Sequence, residues 1–431
     1  MISLEKIKQR AEIIISWVVP IMGAGIAIGK IFFNIPTDIL LAVFLGLFSF
    51  DAILLNLSKK NDKEVLDLLI EKTNIDNIFT SDNDKEDDII KNANSELCIL
   101  QETGSKIMED YNVDIVNFLA HAGFLKIVIC SNEEVVISQL LFRNYNLDTH
   151  DAMQGRFNNF MKHIDNFTMN LDGNQILNKI IVRYCPYPLP ITAVIDNSRR
   201  KRAVIRWADF KLAYKEKNDL YIVEKYNQKL YDYYLHQFQK YYCHSYKIVL
   251  LTGAPRIGKT HLFRNLVQEK YNNFEDVFYM YSEEILNTNN ERIGFNAIIS
   301  KQSQYIKQFA EKKDNGEYEP NIEVLDEIAE HINNNKNKIM ILDEIGLIQL
   351  KSNKFADTIK NIFSNTTTTL FATISKEDDV RHLISSFKNN PRSYCINYND
   401  RRQENNIMTE LITEIDASLN LYKTLNKREV K

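Results

Sequence analysis

Cysteine is sparse: Cys98, Cys130, Cys185, Cys243 and Cys395 lie far apart, with no C-x-x-C pair and an odd total. That pattern excludes a disulfide framework, gives no zinc site, and reads as a reduced, cytosolic set of thiols. An excess of either charge is also lacking. Lys+Arg 53 against Asp+Glu 57 leaves a net charge of −4, which argues against a surface built wholly to bind polyanions while leaving room for local basic patches. Glycine and proline number only 13 and 8 in 431 residues, so any glycine cluster stands out from its background. What is present is apolar side chain, 45% of residues against 26% charged. The chain is too apolar to be mainly disordered and long enough for two or three cores.

Two apolar runs open the chain, residues 13–33 with an uncharged stretch from Ile13 to Gly29, and residues 39–57, broken only by Asp51. Each is about 17 to 20 residues, the length a helix needs to cross a roughly 30 Å hydrocarbon core. The joining segment, Asn34-Ile35-Pro36-Thr37-Asp38, is short enough to predict an antiparallel transmembrane hairpin over residues 1–60. Lys6, Lys8 and Arg10 precede the pair, Lys59, Lys60 and Lys63 follow it, and the turn holds no Lys or Arg. The positive-inside rule therefore predicts a multi-pass membrane protein with both termini cytoplasmic and the lipid bilayer as partner through residues 13–57. A buried hairpin of a globular protein is the alternative, and Asp51 is the residue that favours it. Gly23, Ala24, Gly25 and Gly29 form a small-residue face suited to homo-oligomer packing.

Residues 61–94 turn polar, with SDNDKEDD from Ser81 to Asp88, and predict a solvated linker. Beyond it, apolar runs at Glu96–Leu100, Lys126–Cys130, Lys179–Arg183 and Thr192–Asp196 alternate with helical patterns and predict an α/β domain over residues 95–215. Their order resembles one half of a phospholipase D-like domain. Active members carry H-x-K-x-x-x-x-D, whereas here Gly123 follows His121 and Asp165 follows His163 at the lysine position. The resemblance therefore implies a non-catalytic sensor, scaffold or dimerisation unit. Arg199-Arg200-Lys201-Arg202, with Arg206 and Trp207, is the one dense basic stretch, read as a solvated turn in preference to a contact with nucleic acid or anionic lipid. Residues 216–246, with tyrosines at helical intervals, predict a connecting helix.

The most specific signal lies in residues 247–431. A buried-strand run, Lys247 to Thr252, leads into Gly253-Ala254-Pro255-Arg256-Ile257-Gly258-Lys259-Thr260 and then a helical run from His261. This is the strand, G-x-x-x-x-G-K-[ST], helix order of a phosphate-binding loop. Gly253 and Gly258 let the backbone fold round phosphates, and the loop's successive N–H groups and the positive end of the helix receive the anion, from Gly253 through His261. Lys259 is placed to neutralise β- and γ-phosphate charge and Thr260 to ligate Mg²⁺. A second strand, Lys338 to Leu342, delivers Asp343 and Glu344 to a sheet edge. Asp343 is the candidate Mg²⁺ residue through a water, and Glu344 the general base for an attacking water.

From Ile248 to about Ile396 the sequence resembles the THEP-type nucleoside-triphosphatases, first characterised from thermophiles, whose human relative is called cancer-related nucleoside-triphosphatase. Beyond the loop the likeness rests on Arg292-Ile293-Gly294-Phe295, on Gly316-Glu317-Tyr318, on LDEIGLIQLKSNKF from Leu342 to Phe355, and on the strand Leu370 to Ile374. It implies Mg²⁺-dependent hydrolysis of NTP to NDP and phosphate with broad base tolerance. Three positions depart from the family pattern: Arg256 replaces a usual Gly, His261 a usual Thr and Gln349 a usual Glu. Candidates for an arginine directed at the phosphates are Arg292, Arg381 and Arg392.

The expected fold class is α/β: a transmembrane hairpin, a middle α/β domain and a carboxyl-terminal P-loop NTPase with a mainly parallel sheet, hydrolysing ATP or GTP. The domain arrangement alone suggests a switch in a bacterial stress or anti-phage response. The rivals are a non-enzymatic, nucleotide-gated membrane effector and a nucleic-acid-binding module working through Arg199 to Arg206.

Overall fold

A computed structural model describes residues 79–80, 84–121, 123–143, 149–170, 178–207, 219–299, 305–379 and 381–429. All fall in the second of two units, Met1–Ile75 and Asp76–Lys431. Both apolar runs, the turn between them and the small-residue face at Gly23 to Gly29 lie outside the described residues. Among those described, no helix is long and apolar enough to cross a membrane. The assignment as a multi-pass membrane protein with cytoplasmic termini is corrected on that finding. Its support was hydropathy and basic flanks, and an apolar run of that length suits a buried hairpin as well as a bilayer.

The first sheet has seven strands: β1 (Phe79–Thr80), β2 (Glu96–Gln101), β3 (Phe124–Cys130), β4 (Ile180–Cys185), β5 (Ile191–Asp196), β6 (Arg202–Trp207) and β7 (Asp219–Val223), in the order β1-β7-β6-β5-β2-β3-β4. β2, β3 and β4 are parallel, and the remaining pairs are antiparallel. All six residues of β4 are buried, as expected of a strand covered on both faces. Helices α1 (Asp84–Asn92), α2 (Ser105–Asp110), α3 (Asn112–Ala120), α4 (Glu134–Arg143) and α5 (His150–Asn170) accompany the sheet, and α6 (Gln228–Cys243) leads out of it.

Two stretches differ from expectation. The acidic run is half helix: α1 buries Ile89 and Ile90, while its Glu86 and Asp88 pair with Arg206 and Arg202 of β6. Arg202 also meets Asp196 at 3.3 Å, and Lys201 pairs with Glu224 at 3.4 Å. The basic stretch is therefore largely spent inside the fold, with Arg199 and Arg200 left exposed. The connecting helix begins only at Gln228, capped by the Asn227 side chain, because residues 219–223 pair with β6 instead.

The second sheet has eight strands: β8 (Ile248–Gly253), β9 (Val277–Leu286), β10 (Arg292–Ile299), β11 (Ile306–Lys312), β12 (Tyr318–Pro320), β13 (Ile339–Ile345), β14 (Thr369–Ile374) and β15 (Ser393–Tyr398), in the order β12-β11-β10-β9-β13-β14-β8-β15. From β9 to β15 the pairs are parallel; β10, β11 and β12 extend the sheet as an antiparallel ribbon. β8 and β14 are buried throughout. Helices α7 (Lys259–Leu266), α8 (Ile322–Asn334), α9 (Asn353–Ser364), α10 (Leu383–Lys388) and α11 (Glu404–Glu429) complete this half. α8 and α9 start where Asn321 and Ser352 accept from Val324 N and Phe355 N at 3.2 and 3.0 Å. They bury Leu325, Ile328, Ile332, Phe355 and Ile359 with the sheet's Met340 and Leu342, each such side chain contributing about 1.5–3 kcal/mol.

The two sheets meet at the amino-terminal ends of β8 and β15. Val182 N donates to Pro391 O at 2.7 Å, and the Asn178 side chain bonds both backbone groups of Cys395 at 2.7 Å. At the centre of this contact Glu414 of α11 accepts from Arg183 of β4 at 2.9 Å and from Lys247, which precedes β8, at 2.5 Å. Arg183 also lies 3.6 Å over the Tyr242 ring of α6. Burial opposes ionisation of Glu414, but the two cations outweigh it and hold the carboxyl at about 2. Lys247 is lowered to about 8 by burial and then by Arg183, which Glu414 offsets only in part.

Candidate nucleotide-binding site

β8 is followed at once by the 254–258 loop and by α7, so the chain turns sharply at the carboxyl edge of the sheet. Gly253 permits the turn because a Cβ there would lie 2.1 Å from the carbonyl oxygen of Tyr398, its partner in β15. Gly258, at φ 117°, closes the loop and caps α7. Arg256 also has positive φ, 63°, which accounts physically for the glycine expected there. Since backbone cannot give way as a side-chain tip can, Gly253→Ala is expected to displace β15 and cost about 1–3 kcal/mol. An unchanged urea midpoint would contradict this.

Lys259 is buried, and its Nζ donates to the carbonyls of Gly253 and Ala254 at 3.1 and 3.3 Å, so its ammonium lies inside the curve of the loop. Thr260 Oγ1 donates to Asp343 Oδ1 at 3.2 Å, which brings the end of β13 directly beneath the start of α7. Ala254, Pro255, Arg256 and Ile257 form the partly to fully exposed outer rim. His261 is exposed and bonds Asn265 Nδ2 at 3.1 Å along its own helix.

Asp343 is fully buried. Its Oδ1 also accepts from Thr373 Oγ1 of β14 at 2.5 Å, and its carbonyl accepts from Ser282 Oγ of β9 at 2.9 Å. Oδ2 has no hydrogen-bond partner among the described residues. Burial raises the Asp343 pKa, and the hydroxyls of Thr373 and Thr260 work against that rise. Glu344, half-buried, is raised by burial and then by the Asp343 charge, with Lys259 opposing. Gln349 is buried beside it: a Cβ on Gly346 would lie 2.9 Å from Gln349 Oε1 and 3.2 Å from Glu344 Cδ. No group of three or more His, Cys, Asp or Glu side chains able to hold a metal occurs among the described residues.

The candidate arginines are engaged elsewhere. Arg392 is buried, its guanidinium donating to the carbonyls of Phe363 and Thr368 at 3.0 and 3.3 Å and to Asn365 O, at the carboxyl end of α9. Arg381 bonds Leu350 O and Asn353, and Arg292 pairs with Glu284. Residues that sequence reasoning missed are Thr373 and Ser282, which bond Asp343, and Tyr398, whose carbonyl abuts Gly253. Of these only Thr373 carried a signal, as a hydroxyl near the end of an otherwise apolar strand.

The NTPase family model matches residues 248–411. The nucleoside-triphosphatase THEP1 of Aquifex aeolicus (strain VF5) is 28% identical over 160 residues, 34% of this chain and 88% of that protein. The nucleoside-triphosphatase THEP1 of Thermotoga sp. (strain RQ2) is 28% identical over 172 residues, 38% of this chain and 93% of its own. The solution structure of a human cancer-related nucleoside triphosphatase is 20% identical with a TM-score of 0.34, covering 40% of this chain and 98% of that one. The family match begins at residue 248, so the phospholipase D-like likeness of residues 95–215 gains no support from it. Residues 248–411 thus match the NTPase family model and are similar to the THEP1 nucleoside-triphosphatases over most of the length of those proteins.

Proposed function

We propose that this domain hydrolyses ATP or GTP to NDP and phosphate with Mg²⁺ at the 253–260 loop. The observation that carries the reading is the 3.2 Å contact of the Thr260 hydroxyl with the Asp343 carboxylate, which sets an acidic pair beneath a loop shaped to wrap phosphates. Backbone N–H groups of the loop and the first turn of α7 receive the triphosphate. Lys259 exchanges its two loop carbonyls for β- and γ-phosphate oxygens, a stronger charge-assisted contact. Thr260 and Asp343 offer hard oxygen donors, and the unpartnered, buried Oδ2 of Asp343 fits a cation that binds through one or two carboxylates plus substrate phosphates. When bound, Mg²⁺ supplies charge neutralisation at the β- and γ-phosphate oxygens.

Glu344 accepts a proton from the attacking water. The burial and neighbouring carboxylate that raise its pKa make it a stronger base than an exposed glutamate. Replacing Lys259 by Ala is expected to lower phosphate release by about 10²–10³-fold, the scale for removing one preorganised donor. Equal release by Lys259→Ala and the parent, assayed with ATP and GTP in Mg²⁺, would sink the hydrolase reading of this loop. A role in a stress or anti-phage response finds no support in these observations.

A further inference from the structure

We propose that Arg401 binds the nucleoside end of the nucleotide, on the side of the phosphate loop away from the acidic pair; the assignment rests on the reading of residues 253–260 as the triphosphate site. The sheet order sets the direction. Asp343 and Glu344 end β13, two strands to one side of β8, and β15 flanks β8 on the other. Water attack needs the γ-phosphate on the Glu344 side, so the rest of the nucleotide extends toward the end of β15.

That end is pressed against the loop. The Tyr398 carbonyl abuts Gly253, and the Tyr398 hydroxyl would lie 3.6 Å from a Cβ on Gly258. Asp400 then starts a short turn, its carboxylate accepting from Arg402 N at 2.9 Å. The turn brings Arg401 back over the loop, where its Nε donates to Ile257 O at 3.3 Å.

The neighbouring charges are already committed. Arg402 pairs with Asp400 at 2.5 Å, and Glu404 accepts from the Tyr398 hydroxyl at 2.9 Å. Arg401 is exposed, and among the described residues neither of its terminal nitrogens has a hydrogen bond and no carboxylate pairs with it. A guanidinium anchored at Nε keeps a planar, permanently charged face that stacks on any base and bonds ribose or phosphate oxygens. Such a contact reads no base edge, so it serves purine and pyrimidine nucleotides alike. It is made equally in ground and transition states and therefore acts on KM and not on kcat.

The experiment uses the full chain, with steady-state hydrolysis of ATP, GTP, CTP and UTP and calorimetric binding of ADP in Mg²⁺. Arg401→Ala is expected to raise KM about tenfold for all four nucleotides, weaken ADP in parallel and leave kcat within about twofold, the effect of losing one charge-assisted contact. Arg401→Lys restores only part, because an ammonium cannot stack, and Arg402→Ala leaves KM unchanged. Unaltered KM and ADP affinity in Arg401→Ala, or a loss confined to kcat, would overturn the assignment while the parent still turns over. Absence of phosphate release from the parent would instead defeat the hydrolase reading on which it rests.

Discussion

Glu344→Gln is expected to lower kcat for phosphate release by about 10²–10⁴-fold, the range general base catalysis supplies, while ADP affinity stays within about twofold. The amide keeps the shape and hydrogen-bonding reach of the side chain and loses only the capacity to take up a proton. Two features of the site make that capacity matter. Glu344 stands beside Asp343, whose own carboxylate is already engaged by Thr260 and Thr373. Burial and the Asp343 charge hold its pKa above the ordinary glutamate value of 4.5. The sign for activity follows directly. A base must be ionised to accept a proton, so kcat/KM falls as pH drops through the Glu344 pKa, and that acid limb lies above pH 4.5 in the parent. In Glu344→Gln the limb disappears and the residual rate is flat. A variant that releases phosphate at the parental rate, or one that keeps the limb, would remove Glu344 from the chemistry.

Glu414→Ala is expected to cost about 3–5 kcal/mol of stability, because it leaves the buried cations Arg183 and Lys247 facing each other without a counter-charge. The pH dependence gives an independent scale. Glu414 is held at about 2 against an ordinary 4.5, and a difference of that size is worth about 3 kcal/mol. Its folded-state value is depressed, so the contribution is complete above pH 4.5 and is lost as pH falls from there toward 2. The parent should therefore lose stability across that window, and Glu414→Ala should lose less. Replacing all three charged side chains by apolar ones of similar size is expected to recover most of the loss, since the penalty belongs to the orphaned cations and not to the absence of a salt bridge. Urea titrations at pH 7 and at pH 3 distinguish these outcomes; a Glu414→Ala midpoint equal to the parent's at pH 7 would show that the cluster carries no such load.

The same cluster has a place in the architecture that neither sheet shows alone. α11 begins at Glu404, which accepts from the Tyr398 hydroxyl beside the phosphate loop, and reaches Glu414 at the contact with β4. One helix therefore touches both the carboxyl edge of its sheet, beside the 254–258 loop, and the amino edge, where the first sheet docks.

Legibility differed from element to element for identifiable reasons. The runs at 96–100, 126–130, 179–183, 192–196, 247–252, 338–342 and 370–374 are strands whose ends lie within three residues of those bounds, because a strand buried on both faces must be apolar along its length. β6 was concealed by its arginines. Arg202 and Arg206 look like a surface patch in the chain, and become strand residues once Asp196, Asp88 and Glu86 neutralise them. β10 mixes buried and half-exposed positions, β11 buries only the adjacent Phe309 and Ala310, and β12 buries none, so no continuous apolar run marks the ribbon. The Gly316-Glu317-Tyr318 element is the turn into β12, with Gly316 at φ 85°. The membrane assignment failed for a different reason, since run length cannot by itself say what covers an apolar surface.

Sequence alone determined the glycine-bounded loop at 253–258, its place between a strand and a helix, and the acidic end of β13, because each is a local demand: glycine where the backbone must turn sharply, apolar residues where a strand is covered, and a helix amino terminus immediately after the loop. Only the tertiary structure decided what surrounds them. Thr260 and Asp343 are 83 residues apart, Lys247 and Glu414 are 167 apart, and Arg401 meets Ile257 across 144. Parallel pairing of β8 with β14 and β15 creates these neighbours. The order of strands in a sheet is set by the packing of the whole chain, which no stretch of it displays.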